Sequence, residues 1–436
     1  MTTQKVYSFP KGGIKFKDPS APSRDKCEIS FLPSISIIPL IQHFGKRAHP
    51  TVSVGDVVSE GTLVGRGIGA GSANVHASVP GKVIRLASWK SAMGQVLDGL
   101  VIRMEGSFTK LGKQEEVFSW ESLLPHDLQR IIAEYGVVEM EGNGRPVSEL
   151  ISYYRSAPDP ITLVVSCVFD DPWLAANYVL CKERAAAIAE GAVITARTCR
   201  VSRIVFAISH TEKELGELLL ASSGKWGVPS TAVFVGSKYP QRNRRELEMV
   251  LRNYSKKENV ELGSLFILGP ATLAAVYDAV RMRKPVLERY IAVGGSAVKQ
   301  PQIMKVRIGK RIGDIFNECG GFVSSPKKIA SGSPLLGKPF ADLDEPVTKT
   351  TNAIFAIHEK FWQDKLRLCI SCGECRHVCP VGLDPEELYK KAQICGKGAS
   401  SNSRASECHG CGCCEVVCPS MLPLSAVIIS SAEVEN

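Results

Sequence analysis

The chain carries the run Cys369-Ile-Ser-Cys372-Gly-Glu-Cys375-Arg-His-Val-Cys379-Pro380 and, thirty-odd residues on, Cys408-His-Gly-Cys411-Gly-Cys-Cys414-Glu-Val-Val-Cys418-Pro419. Both read C-x2-C-x2-C-x3-C-P. A cubane iron–sulfur cluster needs four thiolates converging on one small body, and three closely spaced cysteines wrap it. Where two such runs cooperate, the fourth cysteine of each reaches across to the other cluster. On that pairing Cys369, Cys372, Cys375 and Cys418 hold one [4Fe–4S] cluster, and Cys408, Cys411, Cys414 and Cys379 hold the second. The proline after each fourth cysteine fixes φ and stops the short helix there. Cys413 stands beside Cys414 and could replace it as a ligand, although the spacing favours Cys414.

Two other readings compete. Zinc ribbons pair their ligands as CxxC, without the further x2-C-x3-C-P. A disulfide framework needs an oxidising compartment, and Met1-Thr-Thr-Gln-Lys opens the chain with no apolar signal segment. The remaining cysteines, Cys27, Cys167, Cys181, Cys199, Cys319 and Cys395, are scattered. Apart from Cys395 they read as small buried hydrophobes.

At 436 residues the chain has room for two to four domains, and 44% apolar with 22% charged residues is the balance of a folded protein. No stretch approaches the roughly 18 apolar residues of a membrane-spanning helix. A net charge of +9 is modest for the length and reads as a generic basic surface, with no nucleic-acid-binding pattern.

The chain reads as a multidomain α+β protein. Residues 1–29 form an irregular lead-in. Residues 30–105 alternate short strands with glycines, and Thr51-Val-Ser-Val-Gly-Asp-Val-Val58 is answered by Val75-His-Ala-Ser-Val-Pro-Gly-Lys-Val83. That pairing looks like the barrel-sandwich of lipoyl and biotinyl domains. The stretch Gly65 to Asn74 has no lysine to carry a cofactor, which leaves a structural β-domain. Residues 119–284 alternate strands (Ile161–Val165, Arg203–Ile208, Ala232–Val235) with helices (Glu183–Ala196, Ala271–Arg281), an open α/β sheet. Residues 285–345 return to short strands, a β-grasp segment. A proline-bearing linker, Pro339 to Thr351, leads to a helical, cysteine-rich domain over 352–425.

This order of parts resembles the C subunit of the Rnf ion-translocating electron transport complex across nearly the whole chain. The resemblance rests on Phe9-Pro-Lys-Gly-Gly-Ile14, Pro39-Leu-Ile-Gln-His43, Lys238-Tyr-Pro-Gln241, Gly332-Ser-Pro-Leu-Leu-Gly337 and Pro346-Val-Thr-Lys349 besides the double cysteine run. It implies a central domain like that of the flavin-carrying subunit of respiratory complex I and a ferredoxin-like tail. It also implies a peripheral subunit on the cytoplasmic face of a membrane, working with other subunits of an ion pump driven by electron flow between ferredoxin and NAD. In that family the α/β domain usually binds FMN and NADH.

Here three segments depart from the family. Its glycine-rich flavin loop, G-I-V-G-L-G-G-A-G-F-P-T, becomes Gly136-Val-Val-Glu139-Met-Glu141-Gly-Asn143-Gly-Arg145-Pro-Val147, with Leu150 where the family has lysine. A carboxylate near a phosphate repels it, and a side chain blocks close backbone approach. The family's N-G-A-E-C-E-P-Y-L-T-A-D becomes Ser166-Cys-Val-Phe169-Asp170-Asp171-Pro172-Trp173-Leu-Ala-Ala-Asn177, keeping only the acidic-Pro-aromatic core. K-Y-P-Q-G-G-E-K becomes Lys238-Tyr-Pro-Gln-Arg242-Asn-Arg244-Arg245. The expectation is an electron-transfer subunit with two [4Fe–4S] clusters and neither FMN nor NADH, exchanging electrons with a soluble ferredoxin or flavoprotein. A soluble cobalamin-reductase-like flavoprotein and a cluster-stabilised assembly scaffold are the alternatives. His377 and His409, inside the runs, read as non-ligands.

Overall fold

A computed structural model describes residues 5–16, 20–109, 111, 113, 116–358, 367–395 and 404–432. The N-terminal β-domain pairs a four-stranded antiparallel sheet with a three-stranded one. In the first, Val96–Met104 lies between Ile35–Pro39 and the long Gly81–Lys90 strand. Its alternate residues Leu100 and Ile102 meet Val64, Val75, Val79 and Val83 in a closed core, as a period of two requires.

The α/β domain is built on four parallel strands in the order Ser230–Val235, Arg203–Ser209, Ile161–Cys167, Ser264–Leu268. Ile161–Cys167 is buried at all 7 positions, which is why its apolar run is continuous rather than alternating. Helix Ala176–Cys199 crosses one face against helix Pro270–Arg281. The two approach so closely that a Cβ on Gly191 would stand 2.0 Å from the Leu273 carbonyl oxygen, so Gly191 is set by packing. Helix Ala176–Cys199 extends past both ends read from sequence, helix Pro270–Arg281 starts one residue earlier, and the strand Ser264–Leu268 is an addition to that reading. It is short, lies between Gly263 and Gly269, and pairs with Ile161–Cys167 as buried sheet.

The third sheet corrects two boundaries. It has six strands in the order Cys27–Ile29, Gln302–Arg307, Glu288–Gly294, Ala353–Ile357, Lys328–Ser331, Lys338–Pro339. The segment 1–29 thus contributes an edge strand, and the sheet draws a strand from beyond residue 345. Cys27, in that edge strand, is only partly buried. The stretch Pro339 to Thr351 is no free linker. Val347 exchanges backbone hydrogen bonds with Gly309 and Lys310, and Lys349 is buried among three units. Its Nζ donates to the carbonyls of Asn74 in the β-domain (2.7 Å) and Gly136 in the α/β domain (2.8 Å). Burial without a counter-charge lowers its pKa to about 7. A buried pair, Arg307 with Glu60 at 2.7 Å, also joins the six-stranded sheet to the β-domain.

In the cysteine-rich tail two one-turn helices, Glu374–His377 and Cys413–Val416, each begin just after a left-handed glycine, Gly373 (φ 77°) and Gly412 (φ 73°). They are followed by helices Pro385–Cys395 and Leu424–Ala432. Among the described residues no helix is long and apolar enough to cross a membrane.

Candidate iron–sulfur centres and the adjoining cavity

The repeat turns its two sets of sulfurs toward two separate small cavities. Cys369, Cys372, Cys375 and Cys418 line one, closed by Ile370, Leu422 and Leu424. Cys379, Cys408, Cys411 and Cys414 line the other, with Leu383, Ile428 and Cys413. The fourth cysteine of each run therefore stands with the first three of the other. This follows from local geometry. The left-handed glycine and the short helix curl three cysteines around a point, and the proline then sends the chain across. The donor set suits a cluster: four sulfurs in an apolar pocket, some already receiving backbone N–H groups. Gly410 N–H points to Cys408 Sγ at 3.4 Å, and Leu383 N–H to Cys379 Sγ at 3.3 Å. Such donors offset the charge of bound thiolates and tune a cluster's potential.

The surroundings differ. Around the first set, Cys372 is exposed, with Leu368 (90% exposed) and Ile370 (67%) beside it. The second set is pressed against the α/β domain. Tyr239 Oη donates to the Cys411 carbonyl at 2.8 Å, and His409 Nδ1 meets the fully buried carboxylate of Glu246 at 2.5 Å. Cys413, fully buried, packs with Tyr239 and Cys411 on the outer wall of this cavity. The lead-in closes the rest, since a Cβ on Gly12 would lie 2.5 Å from the Cys379 carbonyl. No local pattern signals these contacts. Lys238-Tyr-Pro-Gln241 reads in sequence only as a shared stretch, whereas Tyr239 is a buried strut between domains. Of the other histidines, His377 lies in the short helix Glu374–His377, and His43 Nε2 donates to the Lys46 carbonyl at 2.7 Å. His76 is buried against Tyr135, which lowers its pKa to about 3 and keeps it neutral.

Beside the second set opens a cavity of about 630 Å3. Its floor is the C-terminal ends of Ile161–Cys167 and Ser264–Leu268, and Cys408, His409 and Ile429 face it from the tail. Parallel sheets place ligands here, outside the carboxyl ends of the strands. The three divergent segments meet on its walls: Glu139 and Glu141, Ser166 to Asn177, and Arg242 to Arg245.

The fold implies a flavin in such a cavity, with its phosphate on a helix N-terminus. At the N-terminus of Pro270–Arg281, however, the Glu141 carboxylate takes that place. It accepts from Ala271 N–H at 2.6 Å, Thr272 N–H at 3.3 Å and Thr272 Oγ1 at 2.5 Å, with Asn177 Nδ2 at 3.4 Å. A Cβ on Gly269 would stand 2.2 Å from the Glu141 carboxyl carbon. Glu139 lies against Gly142, and burial, reinforced by Glu141, raises its pKa. Asp170, fully buried under the Arg242 backbone N–H (2.9 Å), has its pKa raised to about 6 by desolvation, which outweighs the Arg242 charge. The Glu139 and Glu141 carboxyl groups, with Asp171 also on the wall, do not fit a bound phosphate. Two of the wall arginines are engaged elsewhere: Arg244 by Glu248 (3.1 Å) and Tyr154, and Arg242 is turned toward Asp170.

Residues 8–107 match the family model of the RnfC barrel sandwich hybrid domain, and residues 361–419 match that of the 4Fe-4S dicluster domain. The chain is 30% identical over 370 residues to the C subunit of the ion-translocating oxidoreductase complex of Rhodobacter capsulatus, covering 83% of this chain and 71% of that one. It is 28% identical over 400 residues to the C subunit of the proton-translocating ferredoxin:NAD(+) oxidoreductase complex of Clostridium ljungdahlii, covering 88% and 86%. It is 27% identical over 386 residues to the C subunit of the Na(+)-translocating counterpart from Acetobacterium woodii, covering 85% and 84%. With this extent of similarity, the same barrel-sandwich at one end and the same double cysteine motif at the other, the chain belongs to the family of C subunits of Rnf-type ion-translocating oxidoreductase complexes.

Proposed function

We propose that this chain is the peripheral electron-transfer subunit of an Rnf-type ion-translocating complex, carrying two [4Fe–4S] clusters and neither FMN nor NADH of its own. The observation that carries the reading is the grouping of eight cysteines into two sets of four beside a nucleotide-type cavity whose helix N-terminus Glu141 occupies. When bound, such clusters supply one-electron carriers of low potential. The chain's own residues do the rest. Cys369, Cys372, Cys375 and Cys418 anchor one cluster, and Cys379, Cys408, Cys411 and Cys414 the other. Leu383, Leu422, Leu424 and Ile428 exclude water from the cages. Tyr239 and Glu246 hold the second cage on the α/β domain.

Exchange with a soluble carrier, a ferredoxin or a flavoprotein, fits the first set best, because Cys372 is exposed and rimmed by Leu368 and Ile370. Weak redox encounters use small contacts of this kind. The absence of a membrane-crossing helix among the described residues accords with attachment through other subunits on the cytoplasmic face.

The test is anaerobic preparation of the full chain. Iron and sulfide near eight per chain, paramagnetic signals of two reduced cubanes, no retained flavin, and no reduction by NADH without another protein are expected. Stoichiometric zinc, tightly bound FMN, or clusters bleached by NADH alone would each defeat the reading.

A further inference from the structure

The helix N-terminus at Pro270–Arg281 is the strongest anion position in the cavity. The N–H groups of its first turn have no partner within the helix, and the helix dipole adds a partial positive charge. The side chain seated there comes from 130 residues away in sequence, so its seat is made by tertiary structure. All three groups that would serve a ligand, Ala271 N–H, Thr272 N–H and Thr272 Oγ1, are taken by one carboxylate. The surrounding pocket still has the character of a ligand site. Ser166, nine-tenths buried, lines it with its Oγ lacking a hydrogen-bond partner among the described residues. Gly269, immediately before the helix, has Glu141 atoms where a ligand group would pass.

We infer that Glu141 is a built-in anion: its carboxylate stands in for the phosphate of a phosphate-ester ligand and by itself closes this helix N-terminus to such ligands. The inference deepens the proposed absence of a resident flavin by naming the residue responsible. Loss of the loop glycines is then secondary. The 139–145 turn forms without a ligand, because Glu139 and Arg145 pair through their backbones at 2.8 Å and Glu141 anchors the tip to the helix.

The experiment uses the full, cluster-loaded chain and its Glu141→Gly variant, with inorganic phosphate and FMN as probes. Binding is followed by calorimetry and by the shift in thermal midpoint. The variant is expected to bind both probes at least about tenfold more tightly than the unaltered chain and to be stabilised by millimolar phosphate, while the unaltered chain does not respond. A variant with unchanged cluster absorbance and circular dichroism that ignores both anions overturns this inference and leaves the proposed function standing. FMN held tightly by the unaltered chain overturns both. Should Glu141→Gly fail to fold, Glu141→Gln keeps the shape and removes the charge. Its thermal midpoint is expected to fall by about 1–3 °C, and a midpoint equal to that of the unaltered chain overturns the inference.

Discussion

Around Cys372 the chain faces solvent, with Leu368 and Ile370 exposed beside the thiol. Around Cys411, in the equivalent position of the second run, it faces protein: Tyr239 grips the backbone, Glu246 receives His409, and Gly12 lies on the Cys379 carbonyl. The same motif therefore stands in two surroundings, one open to solvent and the other packed against the α/β domain. Ligand spacing specifies a cluster, whereas the packed surroundings specify what that cluster can reach.

The comparison breaks most visibly through the cysteines. Cys411→Ser is expected to remove more than about half of the iron and to lower the thermal midpoint, because the tail loses its buried seat along with its ligand. Cys372→Ser is expected to cost about half of the iron and leave the midpoint of the α/β domain almost unmoved. Iron analysis with calorimetry decides it, and equal midpoints for the two variants would erase the distinction between the cages.

A smaller effect sharpens the comparison by lying away from both cages. Lys349, with its pKa lowered to about 7, binds fewer protons in the folded than in the unfolded chain between pH 7 and its ordinary value near 10.4. The unfolded state then holds the extra proton, so stability rises with pH across that window, by up to about 1.4 kcal/mol per unit. Lys349→Met should flatten that rise between pH 7 and 9 in denaturant titrations without altering the iron content of either cage.

A single hydrogen bond is at stake in Tyr239→Phe. Its missing hydroxyl leaves the buried Cys411 carbonyl unpaired, at about 1–3 kcal/mol. Chelators should strip iron faster from the second cage alone. Uniform loss from both cages would mean that Tyr239 does not distinguish them.

Much of this is legible in the sequence because it is local. C-x2-C-x2-C-x3-C-P sets ligand distances within a few residues, and Ile161–Cys167 announces a central parallel strand by its mostly apolar run, with Thr162 and Ser166 the exceptions. The glutamates of the 136–147 loop are legible as losses of glycine, since a carboxylate where a phosphate belongs is unfavourable whatever the fold. Their positive role is not. Repulsion is the expectation from sequence, and the structure has replacement: Glu141 satisfies the very N–H groups a phosphate would have taken. The strands Cys27–Ile29 and Ala353–Ile357 escape a sequence reading for a related reason. Each is short, and each is defined by partners far along the chain, Ile303 for Cys27 and Ala292 for Ala353, within registers that no local pattern marks.

By itself, then, the order of residues set out two runs of four cysteines and the departure of three loops from the family's nucleotide pattern, because those features lie in side-chain chemistry and spacing along a few turns of chain. Only the folded molecule decided that one cage is exposed and the other enclosed, that Lys349 is buried where three units meet, and that Glu141 sits on the end of a distant helix. Those outcomes are set by burial and by the long-range pairing of polar groups, which must all find partners at once when water is excluded.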